Sequence, residues 1–257
     1  MPESVPLAET LRVCCSDSSH LQIAQAFARQ HRLAFVEPNI TGLLLDFGSS
    51  GIALRAGKSR LRVDFVSGEL AHRQRYGGGR KQVLARAVGI KPGRELPTIV
   101  DATAGLAKDA FVLAGLGCKV QMLEQSPVVA ILVEDGIRRA RQLPEFQKLV
   151  NNGFSLQLGN SVELLAEIAN TNPPCTVYLD PMYPGRTKTA AVKKNMQLLQ
   201  RLLGHCVDQH ELLYAARDCA LQRVVVKRPK GAKYFAGAEP STSISSPKTR
   251  YDIYINH

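Results

Sequence analysis

The chain has no tryptophan, and aromatic residues make up only 6% of its 257 positions. That leaves no ladder of stacking rings of the kind that lines a single-strand nucleic-acid platform. Six cysteines, Cys14, Cys15, Cys118, Cys175, Cys206 and Cys219, lie scattered and form no C-x-x-C pair. Neither a zinc site nor a disulfide framework is indicated; the pattern fits inert thiols in a reducing cytoplasm, with no metal. No apolar run approaches the roughly 18 residues that span a bilayer. The opening MPESVPLAET lacks the basic-then-apolar order of a signal peptide. The expectation is a cytoplasmic protein with no membrane partner.

Acidic residues are also scarce: 22 Asp and Glu face 33 Lys and Arg, for a formal net charge of +11. Such an excess points to a polyanionic partner, with solubility charge as the plainer alternative. The cations cluster in three places: His72, Arg73, Arg75, Arg80 and Lys81; then Lys188, Lys193 and Lys194; then Lys227, Arg228, Lys230 and Lys233. Arg73, Arg75, Arg80, Lys193, Lys194 and Lys227 are the candidate contacts to phosphate.

What the chain does contain is an ordinary 45% of apolar residues, enough for one large or two modest cores. The pattern predicts a strand at Leu11-Arg12-Val13 and a helix from Ser19 to Gln30. From Gly42 to Phe65 the apolar residues alternate with period two, broken by turn signals at residues 48–51 and 57–59, which predicts a small antiparallel meander. Residues 1–75 are therefore expected to form a small N-terminal α+β lobe, and residues 76–257 a second domain. Gly77-Gly78-Gly79 is either a hinge between the two or a loop that lets a phosphate backbone approach. It is not a Walker loop, since no G-K-[ST] follows.

The second domain is organised around residues 98–124. Ile99-Val100 ends in Asp101; a small-residue turn carrying Gly105 follows; a helix runs from Lys108 to Leu116; a second apolar run ends in Glu124. Strand, tight turn, helix, strand and acid make one βαβ unit of a nucleotide-binding sheet, whose ligands bind at the carboxyl ends of the strands. An acid placed roughly 20 residues past the turn can accept ribose hydroxyls. The turn, however, has one glycine where a pyrophosphate-binding G-x-G-x-x-G has three. S-adenosylmethionine (SAM) carries ribose and adenine but no phosphate, so the turn reads as a SAM loop in preference to an NAD site. A plain βα turn with Asp101 as a helix cap is the bland alternative. Strands and helices then alternate for about 160 residues, which predicts a doubly wound Rossmann-like α/β sheet closed by an antiparallel last strand at residues 250–255; joined to the SAM loop, this is the sheet expected of a class I methyltransferase.

Asp180-Pro181-Met182-Tyr183 follows an apolar strand on the same edge. It resembles the D/N-P-P-Y/F signature of methyltransferases that act on exocyclic amines of nucleobases. Such a nitrogen shares its lone pair with the ring and is a poor nucleophile. Acceptors for its protons, here the Asp180 carboxylate and the Pro181 carbonyl, localise that pair toward the methyl group, while Tyr183 offers a face on which a flipped base can stack. Met182 replaces the second proline. The bland alternative is a strand-end aspartate capping a turn.

VDATAGLAKDAFVLA, MLEQSPVVA, YLDPMYP, AAVKKNM, VVVKRP and the terminal YDIY, with HRQRYGGGR upstream, together resemble the bacterial small-subunit ribosomal RNA guanine-N2 methyltransferase J family. The resemblance covers the chain from about residue 40. It implies methyl transfer from S-adenosyl-L-methionine to N2 of a guanine in 16S ribosomal RNA, with that RNA or the small ribosomal subunit as partner. By motif it implies cofactor contacts at Lys108, Asp109, Glu124, Gln125, Asn160, Ser161 and Asp180, beside Asp101 and Gly105 of the turn. The family often has Arg where this chain has Lys108 and Gln125. The readings left open are a DNA adenine-N6 methyltransferase and a non-catalytic RNA-binding protein on the same fold.

Overall fold

A computed structural model of the chain describes residues 11–67, 79–181 and 208–256. In chain order the elements are β1 Leu11–Cys15, α1 Leu21–Gln30, β2 Ala34–Phe35, β3 Leu43–Gly48, β4 Gly51–Ala56, β5 Ser59–Leu61, α2 Val83–Ala87, β6 Ile99–Asp101, α3 Lys108–Gly115, β7 Val120–Glu124, α4 Pro127–Ala140, α5 Pro144–Asn151, β8 Ser155–Leu158, α6 Ser161–Thr171, β9 Thr176–Leu179, α7 Gln209–Cys219, β10 Arg223–Pro229, β11 Thr242–Ser245 and β12 Thr249–Ile255. They fall into two compact units that interleave in sequence. One holds the described residues up to Val63 and the stretch Ser126–Arg139; the other holds the rest of the described chain.

The first unit carries a five-stranded sheet in the order β2-β1-β3-β4-β5. The expected meander is present as β3, β4 and β5, paired antiparallel. β1 joins it parallel to β3, and the two-residue β2 adds to the edge. Within this unit the buried Asp135 of α4 accepts a hydrogen bond from the Ile52 backbone at 3.0 Å and pairs with Arg138 and Arg139. Arg139 in turn donates to the Val63 carbonyl. The helix is thereby tied to β4 by a buried carboxylate whose charge is compensated.

The second unit carries a seven-stranded sheet, β11-β12-β10-β9-β6-β7-β8. β10, β9, β6, β7 and β8 pair parallel, and β12 pairs antiparallel with β10. The chain moves outward from β6 through β7 to β8, then returns to the other side of β6 as β9. That reversal is the topological switch point at which such sheets bind ligands. One face is apolar through alternation: Val100, Leu123, Val177, Leu179, Val224 and Val226 join a core with Leu164, Leu165 and Ile168 of α6 and Leu212, Leu213 and Ala216 of α7. Both helices begin on a side-chain cap, Asn160 accepting from Val162 N and Asp208 from His210 N, which satisfies backbone donors a helix start leaves over. Phe65, Phe111, Phe146 and Phe154 pack as a separate aromatic cluster in the same unit, with ring centroids 4.9–6.3 Å apart.

Candidate active site at the carboxyl edge of the large sheet

Alternation also decides what stands on the other face at the switch point. Asp101 of β6 is the register partner of Tyr178 in β9, and Tyr178 is the partner of Val225 in β10. Asp180 lies two residues past Tyr178, and Lys227 two past Val225. A period of two therefore puts Asp101, Tyr178, Asp180 and Lys227 on one side of the sheet at its carboxyl edge. From the start of α3, Asp109 joins them.

These side chains form one connected cluster. Lys227 Nζ lies 2.6 Å from Oδ2 of Asp109 and 2.7 Å from Oδ2 of Asp180. The Tyr178 hydroxyl donates to the same Asp109 oxygen at 2.7 Å. Side-chain exposure rises outward along the chain of contacts, from 5% at Asp109 to 26% at Lys227 and 40% at Asp180. Burial works against the Lys227 charge, but Asp180 and Asp109 outweigh it and raise its pKa. Burial likewise pushes the Asp101 carboxyl up to about 8; the N–H of Thr103 opposes this, and the charges of Asp109 and Asp180 add to it. Tyr178, fully buried beside Asp109, is raised well above an ordinary phenol. Near neutral pH Asp101 thus keeps its proton, and Lys227 remains an ammonium between Asp109 and Asp180.

The turn after β6 is held from several sides. Thr103 N donates to Oδ1 of Asp101 at 3.1 Å, and Thr103 Oγ1 accepts the backbone N–H of Asp180 at 2.6 Å. Ala102 N donates to Tyr178 O and Ala104 N to Leu123 O, so the loop is clipped to both neighbouring strands. Gly105, at φ 51°, donates its N–H to Oε2 of Glu124 at 2.9 Å. Ala107, fully buried, precedes α3 at φ 58°, a left-handed conformation that costs an alanine about 1–2 kcal/mol and that the packing around it sustains.

The expected site residues separate into three groups. Asp101, Gly105, Asp109, Glu124, Asn160, Ser161, Asp180 and Pro181 all lie on or beside this edge. Two of them turn inward: Ser161 donates its hydroxyl to the Ala102 carbonyl at 2.7 Å, and Asp109 serves Tyr178 and Lys227. Lys108, Gln125 and Arg80 are exposed. Tyr183, Arg73, Arg75, Lys193 and Lys194 lie outside the described residues. Lys227, expected with the phosphate-facing cations, sits instead inside the carboxylate cluster. Its neighbour Arg228 is buried over the Phe235 ring. The exposed cations of that third cluster are Lys230 and Lys233. Thr103 and Tyr178 were not singled out from sequence. The signal was available in YLDP, where a tyrosine in an apolar strand stands two residues before Asp180 and so on its face.

Among the described residues no group of three or more His, Cys, Asp or Glu side chains is arranged to hold a metal ion. None of their helices is long and apolar enough to cross a membrane.

The family model of the SAM-dependent methyltransferases (SAM_MT) matches residues 27–256. A crystal structure of a SAM-dependent methyltransferase from Neisseria gonorrhoeae is 36% identical, with a TM-score of 0.74 over 95% of each chain. The ribosomal RNA small subunit methyltransferase J of Nitrosococcus oceani is 51% identical over 77% of each chain. That of Shewanella piezotolerans is 52% identical over 76% of this chain and 72% of its own. The chain belongs to the ribosomal RNA small subunit methyltransferase J family.

Proposed function

We propose that this protein transfers a methyl group from SAM to the exocyclic N2 amine of a guanine in 16S ribosomal RNA, in the cytoplasm. The observation that carries the reading is the position of Asp180, a partly exposed carboxylate at the switch point, with its backbone tied to Thr103 and its side chain to Lys227.

The residues present suit the cofactor. The edge offers Glu124 and Asp180, which would repel a pyrophosphate and favour a molecule with a sulfonium and an ammonium. Around the turn, a Cβ built on Gly105 would meet nothing nearer than the Thr103 carbonyl at 3.9 Å, so the backbone there can be approached closely. Glu124 and Gln125 would take the ribose side, Asn160 and Ser161 the far loop, and Asp101, Lys108 and Asp109 the turn and helix start. When bound, the cofactor supplies a methyl carbon activated by positive sulfur. Asp180 and the Pro181 carbonyl accept the protons of the target amine and direct its lone pair at that carbon. Asp180 would then receive the proton that the amine gives up on methylation. Tyr183 would stack the flipped base. Arg73, Arg75, Arg80, Lys193 and Lys194 would neutralise flanking phosphates.

Incubation with methyl-labelled SAM and either small-subunit RNA from cells lacking the gene or adenine-containing duplex DNA tests this. Label recovered as N2-methylguanine in the RNA is the expected result. Label on DNA adenine would instead establish the N6 activity, and RNA binding without transfer would indicate a non-catalytic protein.

A further inference from the structure

Lys227 occupies the middle of the acid cluster, between a buried carboxylate and the one expected to touch the target amine. We propose, resting on the reading above, that Lys227 is a positioning residue for methyl transfer, holding the Asp180 carboxylate ionised and oriented toward the base. Four observations on three elements meet in this assignment. Tyr178, fully buried, anchors Asp109 from the sheet floor. Asp109, fixed at the start of α3, anchors the ammonium at 2.6 Å. The ammonium reaches Oδ2 of Asp180 at 2.7 Å. The Asp180 main chain is held separately by the Thr103 hydroxyl. Backbone and one carboxylate oxygen are thus both fixed, which sets the torsion of the side chain between them.

Charge gives the lysine a second task. Among the described residues the groups facing it are Asp109 from α3, Asp180 and Tyr178 from β9 and its end, Asp101 from β6, and Tyr251, its register partner in β12. Three of these are acids and none is a cation. Without the ammonium, Asp109 and Asp180, which it bridges, would repel each other and drive a proton onto one of the two, and a protonated Asp180 would lose an acceptor just where the amine needs one. Asp109 is then a support for Lys227 as well as a neighbour of the cofactor, which accounts for its burial.

The test is the single-turnover rate of methyl transfer to the same RNA as a function of pH, at saturating cofactor and RNA, for the full chain and its variants. Lys227→Met should lower the rate about 10²-fold at neutral pH, leave cofactor affinity measured by calorimetry within a few-fold, and move the acid limb of the rate up by about 1–3 pH units. Lys227→Arg, which restores the charge with a different reach, should return the acid limb to its place and recover part of the rate. If Lys227→Met does not fold, Asp109→Asn is read instead; loosening the anchor should cost about tenfold in rate at saturating cofactor and move the acid limb up in the same direction. A folded Lys227→Met enzyme with the normal rate, a loss that leaves the acid limb in place, or an unaffected Asp109→Asn enzyme would each overturn the assignment. Failure of the wild-type protein to methylate the RNA at all would strike the functional reading itself.

Discussion

Glu124 receives the backbone N–H of Gly105 at 2.9 Å across the gap between the first two strands of the βαβ unit. The same carboxylate is expected to take the ribose hydroxyls, so it shapes the turn and meets the cofactor. This double use makes it sensitive to substitution in a way that sequence position alone does not convey.

Glu124→Ala should therefore weaken SAM binding by about 1.5–3 kcal/mol, the loss of a charged acceptor. Titration calorimetry on the folded variant reads this directly. Unchanged affinity would remove Glu124 from the cofactor site.

Asp180→Ala should lower the single-turnover rate by about 10²–10³ with saturating cofactor and RNA, because the acceptor acts in the transition state. Asp180→Asn should be milder, since its amide oxygen still accepts a hydrogen bond. An Asp180→Ala enzyme of normal rate would leave that residue as a turn element only.

Asp101 makes stability depend on pH. Its folded carboxyl titrates at about 8 against an ordinary 3.8. Between those values the folded chain keeps a proton that the unfolded chain has released, so this contribution to stability is complete below about pH 4 and lost as pH rises to about 8. Asp101→Asn should flatten that part of the curve. Thermal unfolding of both proteins across pH 4–9 checks it, and parallel curves would show that Asp101 ionises normally in the folded state.

RNA affinity should fall with salt, each neutralised phosphate adding roughly −0.7 to −0.9 to the slope of log K against log salt. Replacing Lys193 and Lys194 together by alanine should make the slope shallower by roughly 1.5. A wild-type slope near zero would mean that the net charge of +11 serves solubility alone.

Much of this site was legible before any coordinates. The βαβ unit, the acids at its strand ends and the Asp180 motif depend on local patterns, in which apolar runs end in polar residues at readable positions. What escaped depends on register between distant strands. Lys227 stands in KRPK, which reads as a surface charge run. Its burial follows only from the pairing of β10 with β9, which brings it level with Asp180, and from α3, which brings Asp109 beneath it. β2 is two residues long and β11 four, too short for a period to declare itself. α5 buries Phe146 alone, and the partners of that ring, Phe65, Phe111 and Phe154, lie outside the helix in sequence.

The most direct measurement is mass mapping of modified nucleotides in small-subunit ribosomal RNA from cells with the gene, without it, and with the Asp180→Ala variant in its place. The account predicts one N2-methylguanine present with the wild-type gene, absent without it, and absent or strongly reduced with the variant. The same methylguanine persisting in cells without the gene, or at full level with the variant, would contradict it.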